Sequence, residues 1–394
     1  MACLTCPLPS GCKVKGVDEC KQLLFMDFTA KKARYAVFAS AIAFAMGLAS
    51  CAPTSAPPSA TSGASPAAST ADGAKVSISG AGASLPAPLY QRWFAEYNKK
   101  NPTVQISYQS VGSGAGVKQF LAQTVDFGAT DSPLKEDEWK QVPADRGQAL
   151  QLPTTGAGIV MAYNLDGVEN IKLSRESLCG VVDGTIKTWN DPKIAKDNAG
   201  ASLPSGPITF VHRSDGSGTT AIFTNHIKAA CPNWKAGAGK SVEWPTGTGA
   251  KGNEGVTAQI QQTKGSIGYT EYAYAKENGL KMATLQNKSN EFIAPDPEAF
   301  AKSLEGAQMP ENFALKIPDP TGKGAYPIVG LTWILLYGKY PDQTKADALS
   351  SVFKWALTDP EAIGFAKELG YLPLPTETAN RVVASLGDIK AAAK

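Results

Sequence analysis

An α/β fold is predicted for this chain of 394 residues, and three observations predict it. Between residues 76 and 335 short β-type runs alternate with helical stretches, as in a layered α/β domain. The apolar period switches accordingly. Val104, Ile106 and Tyr108 recur at every second position, whereas Leu89, Trp93, Phe94 and Tyr97 share one face of a helix that Pro102 bounds. Finally, one local design occurs three times: a strand, a turn rich in Gly, Ser and Thr, then a helix start.

Taken in chain order, the first element is an address. Lys31, Lys32 and Arg34 form a basic cluster, residues 35–49 an apolar run, and Ser50 and Cys51 follow. The run falls short of the ~20 apolar residues of a membrane-spanning helix and has the length of a signal-peptide core. Residues 1–50 are therefore expected to be a leader. Leu48-Ala49-Ser50-Cys51 resembles the bacterial lipobox, in which the cysteine is lipidated and becomes the first mature residue. The alternative is an ordinary signal peptide with an incidental cysteine. Met26 followed by Lys31 makes a normal start, which leaves residues 1–25 open to being an over-extended reading frame, and Cys3, Cys6, Cys12 and Cys20 a false zinc lead. Residues 51–74 are then an anchor cysteine and a spacer, built almost wholly of Ala, Pro, Ser, Thr and Gly, with nothing to bury. A protein lipid-anchored in the periplasm or on the outer face of the cytoplasmic membrane is expected.

Composition narrows the function classes. With 43% hydrophobic and 19% charged residues the chain is neither disordered nor a many-span membrane protein. Lys and Arg number 38 against 35 Asp and Glu, an excess of +3 too small to announce a nucleic-acid binder. That excess lies entirely in the leader, where Lys13, Lys15, Lys21, Lys31, Lys32 and Arg34 face only Asp18, Glu19 and Asp27. Seven cysteines and two histidines make a zinc array or a multi-histidine metal enzyme a poor reading. Export gives Cys179 and Cys231 an oxidising compartment, so the two are expected to pair, subject to a geometry that sequence does not fix.

In the body, Ile159-Val160-Met161, Ile208-Thr209-Phe210-Val211 and Ile334-Leu335-Leu336 read as buried strands. The three turn segments are Ser79-Gly80-Ala81-Gly82-Ala83-Ser84-Leu85-Pro86, Val111-Gly112-Ser113-Gly114-Ala115-Gly116-Val117 and Arg213-Ser214-Asp215-Gly216-Ser217-Gly218-Thr219-Thr220. In the first, Ser84 is placed to cap the helix and Pro86 suits its first turn. A helix N-terminus leaves N–H groups unpaired and carries partial positive charge. Glycine lets a ligand approach that backbone, and Ser or Thr adds a hydroxyl donor. Each segment is thus half of an anion cradle, or else ordinary capping.

Other motifs fail. Gly247-Thr248-Gly249-Ala250-Lys251-Gly252 has GxGxxG spacing, but Trp244-Pro245 ahead of it makes a poor Rossmann strand. Gly239-Lys240-Ser241 ends like a P-loop, yet Trp234 stands where the first glycine is required. Gly216-Ser217-Gly218 is no nucleophile elbow, and His212 and His226 read as structural.

Several motifs together, namely Gly80-Ala81-Gly82-Ala83-Ser84-Leu85-Pro86-Ala87-Pro88, Val117-Lys118-Gln119, Val125-Asp126-Phe127-Gly128-Ala129-Thr130-Asp131, Ser214-Asp215-Gly216-Ser217-Gly218-Thr219 and Ile267-Gly268-Tyr269 with Glu271-Tyr272-Ala273-Tyr274, closely resemble the phosphate-binding proteins of bacterial Pst-type ABC transporters. The resemblance runs from Val76 toward the C-terminus and weakens after about residue 285. It implies a two-lobed periplasmic-binding-protein fold of type II, its ligand cleft between lobes joined by two crossovers. One lobe would be residues 75–154 plus 326–394 and the other residues 155–325. It further implies phosphate ligands at Ser84, Leu85, Ser113, Asp131, Arg213, Ser217, Gly218 and Thr219, with Asp215 orienting Arg213. The family often has Thr-Phe where this chain has Ser84-Leu85; Ser keeps the hydroxyl and Leu keeps the N–H.

The chemistry of these residues fits that assignment. A buried dianion needs every oxygen satisfied, which N–H and hydroxyl donors supply and Arg213 completes with a charge-assisted contact. Asp131 makes sense beside an anion if it accepts the proton that hydrogen phosphate still carries. Sulfate has no such proton and would meet carboxylate repulsion instead. The function expected is an extracytoplasmic lipoprotein that binds inorganic phosphate and delivers it to a membrane permease, with no catalytic residue and no cofactor. The alternatives are a binding protein of the same fold for sulfate or molybdate, against which Asp131 argues, and a secreted phosphatase, for which no metal-ligand motif or activated nucleophile is visible.

Overall fold

The computed structural model describes residues 75–391, so the expected leader, the Cys51 anchor and the spacer lie outside the described residues. Strand and helix alternate as the periodicity predicts. The helix Ala87–Lys100 buries Leu89, Trp93, Phe94 and Tyr97. Phe94 meets the rings of Phe127 and Phe353 edge-on, with centroids 5.9 and 6.2 Å away. Val104, Ile106 and Tyr108 do alternate, but they are only half-buried because Val104–Ser110 is the edge strand of its sheet. The strand expected from Ile208 begins one residue later, at Thr209–Arg213, since the Ile208 N–H is spent on the Lys187 carbonyl.

The main sheet has ten strands. Eight run in the order Val104–Ser110, Val76–Gly82, Phe127–Thr130, Val329–Leu336, Leu150–Asn164, Ser266–Glu271, Thr209–Arg213 and Thr248–Ala250. Leu150–Asn164 belongs to both halves. As far as Gly158 it pairs antiparallel with Val329–Leu336, and from Ile159 onward with Ser266–Glu271. The chain crosses back beside it, where the Ile159 N–H bonds the Ile328 carbonyl at 2.9 Å. The result is a two-lobed α/β fold with two crossovers.

This topology aims the turns at one place. Val76–Gly82 runs parallel to both Val104–Ser110 and Phe127–Thr130. In the other half, Thr209–Arg213 runs parallel to Thr248–Ala250 and Ser266–Glu271. Residues 84, 113, 131, 213 and 253 all stand at or just beyond the carboxyl ends of these strands, where open α/β sheets hold their ligands. Behind them, a disulfide joins Cys179 to Cys231 with Cα atoms 5.6 Å apart, tying the helix Arg175–Asp183 to the far end of the helix Gly218–Ala230. Among the described residues no helix is long and apolar enough to cross a membrane.

Candidate functional site

The three turn segments converge. Ser113 opens the helix Ser113–Leu121 and Ser217 caps the helix Gly218–Ala230, its hydroxyl accepting the Thr220 N–H at 3.0 Å. The two helix starts touch across the lobes. Ser113 Oγ accepts the N–H of Gly218 at 3.1 Å, and the Gly114 N–H donates to the Gly216 carbonyl at 2.7 Å. This approach requires glycine: a Cβ on Gly218 would lie 2.5 Å from both Asp131 Cβ and Ser113 Oγ. Gly112, with φ of +88°, faces Asp215 Oδ2 just as closely.

Ser84 departs from expectation. It does not cap the following helix, which starts at Ala87 after Pro86 without a side-chain cap. A tight turn from the Ser84 carbonyl to the Ala87 N–H delays the helix and leaves the hydroxyl turned to the opposite lobe. There Ser84 Oγ accepts both the backbone N–H and the side-chain amide of Asn253, at 3.1 and 2.9 Å. Leu85 is fully buried beside it. The carbonyls of these two residues accept the hydroxyls of Tyr274 and Tyr371, each at 2.7 Å, which fixes the direction of the peptide units.

Arg213 and Asp131 supply the charges. Asp215 grips Arg213 through two bonds, Nε to Oδ1 at 2.8 Å and Nη2 to Oδ2 at 2.6 Å. A further bond from the Gly252 N–H at 3.1 Å holds Asp215 in place. Burial pushes the Asp215 carboxyl up, but the bonds and charge of Arg213 outweigh it and leave the group below the usual carboxylate range. Arg213 is 3% exposed, and its Nη1 is buried with no hydrogen-bond partner among the described residues. Asp131, also 3% exposed, accepts the Thr332 hydroxyl at 2.8 Å and a longer contact from Ser113 at 3.4 Å. Burial pushes its carboxyl up to about 7, against the opposing pull of Thr332, Arg213, Ser113 and Lys240.

A common device runs through the hydroxyls. A serine or threonine hydroxyl has one proton to give and two lone pairs with which to accept. Ser84 accepts two N–H groups, Ser113 accepts those of Gly218 and Asp131, Ser217 accepts one, and Thr219 accepts the Asn253 amide at 3.0 Å. The remaining capacity of Ser84, Ser217 and Thr219 is mainly to donate, whereas the Ser113 proton already faces Asp131 at 3.4 Å. With the helix starts and Arg213 Nη1, the cleft presents donors suited to an anion and one carboxyl suited to a ligand proton. Among the described residues no cluster of His, Cys, Asp and Glu is placed to hold a metal ion.

Thus Ser84, Leu85, Ser113, Asp131, Arg213, Ser217, Gly218 and Thr219 are brought together, with Asp215 on Arg213, while Cys51 lies outside the described residues. Sequence reasoning missed Asn253, Thr332, Tyr274, Tyr371 and Lys240. Asn253 follows the glycine run that fails as a Rossmann motif; that run is a fourth strand, turn and helix start. Lys240 sits in the failed P-loop and pairs with Glu138 of the other lobe at 2.6 Å. Neither histidine bonds a side chain of the cleft: His212 stacks on Trp244 with centroids 5.0 Å apart and its Nδ1 lies 3.1 Å from the Arg213 backbone carbonyl, and His226 Nδ1 lies 3.0 Å from the Pro318 carbonyl.

Residues 59–360 match the family model described as the PBP superfamily domain. The phosphate-binding protein PstS of Pasteurella multocida is 43% identical over 316 residues, which cover 78% of this chain and 89% of that protein. PstS of Haemophilus influenzae is 40% identical, over 78% of this chain and 91% of its own length. Among solved structures, a high-affinity periplasmic phosphate-binding protein with phosphate bound superposes with a TM-score of 0.67. Its identity is 24%, over 79% of this chain and 94% of that one.

Proposed function

The chain belongs to the PBP superfamily and, within it, to the PstS phosphate-binding proteins, and from that premise we propose that it captures inorganic phosphate between its lobes and delivers it to the permease of an ABC transporter. Residues 75–154 with 326–394 form one jaw and residues 155–325 the other. Ser84, Leu85, Ser113 and Asp131 meet the anion from the first jaw; Arg213, Ser217, Gly218 and Thr219 meet it from the second. Asp215 aims Arg213.

One observation carries the reading: Arg213 Nη1 is a buried guanidinium N–H without a partner among the described residues. Leaving a charged donor unpaired in the interior costs on the order of several kcal/mol, and an anionic oxygen removes that cost. The hydroxyls and helix starts supply further donors, so that a dianion is satisfied although residues 51–394 carry no net charge. Asp131, raised to about 7, is balanced between its two forms near neutrality, and its ionised form accepts the proton of hydrogen phosphate. Sulfate offers no proton there and leaves carboxylate facing anion.

The lipobox-like Leu48-Ala49-Ser50-Cys51 supports an anchor outside the cytoplasmic membrane, and mass spectrometry of membrane-extracted protein would find lipid on Cys51 as the first residue. For the ligand, the experiment is calorimetry of the purified protein against phosphate, arsenate and sulfate. Phosphate and arsenate bind and sulfate does not. Sulfate binding as tight as phosphate, or no heat from any of the three, overturns the reading.

A further inference from the structure

We propose that Asn253 is a positioning residue that turns the hydroxyls of Ser84 and Thr219 into donors facing the anion, and so sets how tightly the cleft holds it. The inference rests on the phosphate-binding reading above and adds to it a residue that does not itself touch the ligand.

Asn253 is fully buried, at the second position of the helix Gly252–Gln262. The orientation of its side-chain amide is fixed by a group that only donates. The Glu271 backbone N–H lies 3.1 Å from Oδ1, which the Thr270 hydroxyl also approaches at 3.3 Å. Oδ1 therefore points to the strand Ser266–Glu271, and Nδ2 points into the cleft. From there Nδ2 donates to Ser84 Oγ at 2.9 Å and to Thr219 Oγ1 at 3.0 Å, one hydroxyl from each lobe. The backbone N–H of Asn253 adds a second bond to Ser84 Oγ at 3.1 Å.

The consequence follows from counting lone pairs. Ser84 Oγ has both of its acceptor sites filled by Asn253, so its proton is the one bond it has left to make. Thr219 Oγ1 has one acceptor site filled by the same amide. Both protons are thereby free for an oxygen in the cleft. Without the amide, each hydroxyl could rotate to a neighbouring acceptor, and the two lobes would lose a shared bridge beside the ligand. Bonds to a charged acceptor are the strong ones, so the loss of two well-aimed donors should be read directly in affinity.

The test is a double-mutant cycle in the full-length protein, with inorganic phosphate as the probe and calorimetry as the readout. Asn253→Ala should weaken phosphate binding by about tenfold to a hundredfold. In a background of Ser84→Ala with Thr219→Val, the same substitution should change the dissociation constant by less than about threefold, because the hydroxyls it acts through are gone. A support role for Asn253 under Glu271 and Thr270 would cost affinity equally in both backgrounds, and that result overturns the inference. So does an Asn253→Ala protein with unchanged affinity. If Asn253→Ala does not fold by circular dichroism, Asn253→Ser carries the cycle, since its hydroxyl is too short to reach both oxygens. A wild-type protein that fails to bind phosphate would instead overturn the functional reading itself, whatever the variants do.

Discussion

Asp131→Asn separates the cost of a buried carboxyl from its use. In the unfolded chain Asp131 titrates at its ordinary value of 3.8; in the folded protein burial raises it to about 7. A carboxyl raised on folding binds its proton more tightly in the folded state. Its effect on stability is therefore nil below the unfolded value, grows unfavourable as pH rises through the interval, and is complete above about 7. A gap of about three units, at about 1.36 kcal/mol each, amounts to about 4 kcal/mol. Asn has no proton to lose, and its amide oxygen can still accept the Thr332 hydroxyl. Without phosphate, Asp131→Asn should be more stable than wild type at pH ~8 by up to about 4 kcal/mol, and the difference should shrink toward pH ~4.

Urea unfolding of both proteins at the two pH values, in a phosphate-free buffer, reads this difference as a shift in midpoint. Adding phosphate should close most of this gap at pH ~8. A ligand at a thousand times its dissociation constant adds about 4 kcal/mol to the wild type. The variant, which offers an amide where the phosphate proton needs a carboxylate, should gain much less. A stability difference that does not change with pH, or an equal gain from phosphate in both proteins, would refute the assignment of Asp131 as a buried proton acceptor.

Three further outcomes follow from the same geometry. Arg213→Ala should weaken phosphate binding by about a hundredfold or more, since it removes a charge-assisted donor and exposes the anion to Asp215; circular dichroism should show the body still folded. Lys240→Met breaks the pair with Glu138 that bridges the lobes, both side chains being under 20% exposed, and should raise the phosphate dissociation constant by about threefold to tenfold, with part of the loss recovered in Lys240→Met with Glu138→Gln. Replacing Cys179 and Cys231 together by serine opens a loop of 52 residues and should cost about 4 kcal/mol in urea unfolding. Phosphate affinity should hardly change, because the bond is at one end of the helix Gly218–Ala230 and the cleft at the other, about 20 Å away.

The fold was legible where one physical signal dominates. Period-two and helical patterns located Val104–Ser110 and Ala87–Lys100 because each element has one apolar face to bury. The turns were legible as strand, glycine and helix start, since a backbone that approaches a ligand tolerates few other residues. Three-dimensional partnership was not legible in the residues alone. Ser84 looked like a cap because Ser before Pro in a helix start is the local optimum; its actual partner, Asn253, is 169 positions away. Thr332 and Tyr371 lie still farther along the chain and act on Asp131 and Leu85 through contacts that no local pattern encodes.

The two discarded motifs carry a sharper lesson. Gly247-Thr248-Gly249-Ala250-Lys251-Gly252 fails as a dinucleotide fingerprint because Trp244-Pro245 ahead of it is a poor Rossmann strand, and Gly239-Lys240-Ser241 fails as a P-loop because Trp234 replaces the first glycine. The physics that makes such motifs bind anions is more general than the motifs. A short strand, a glycine with positive φ at Gly252 and a helix start put the Asn253 amide beside the same cleft as the three recognised turns, and the first helix N–H groups hold Asp215 and Ser84 there. The net charge points the same way. The excess of +3 lies wholly in residues 1–50, so the rest of the chain has no net positive charge with which to attract an anion. Whatever selectivity the cleft has must come from how Arg213, Asp131 and the neutral donors are aimed. That makes the residues doing the aiming, Asn253, Asp215, Tyr274 and Tyr371, as consequential for the ligand as those that would touch it.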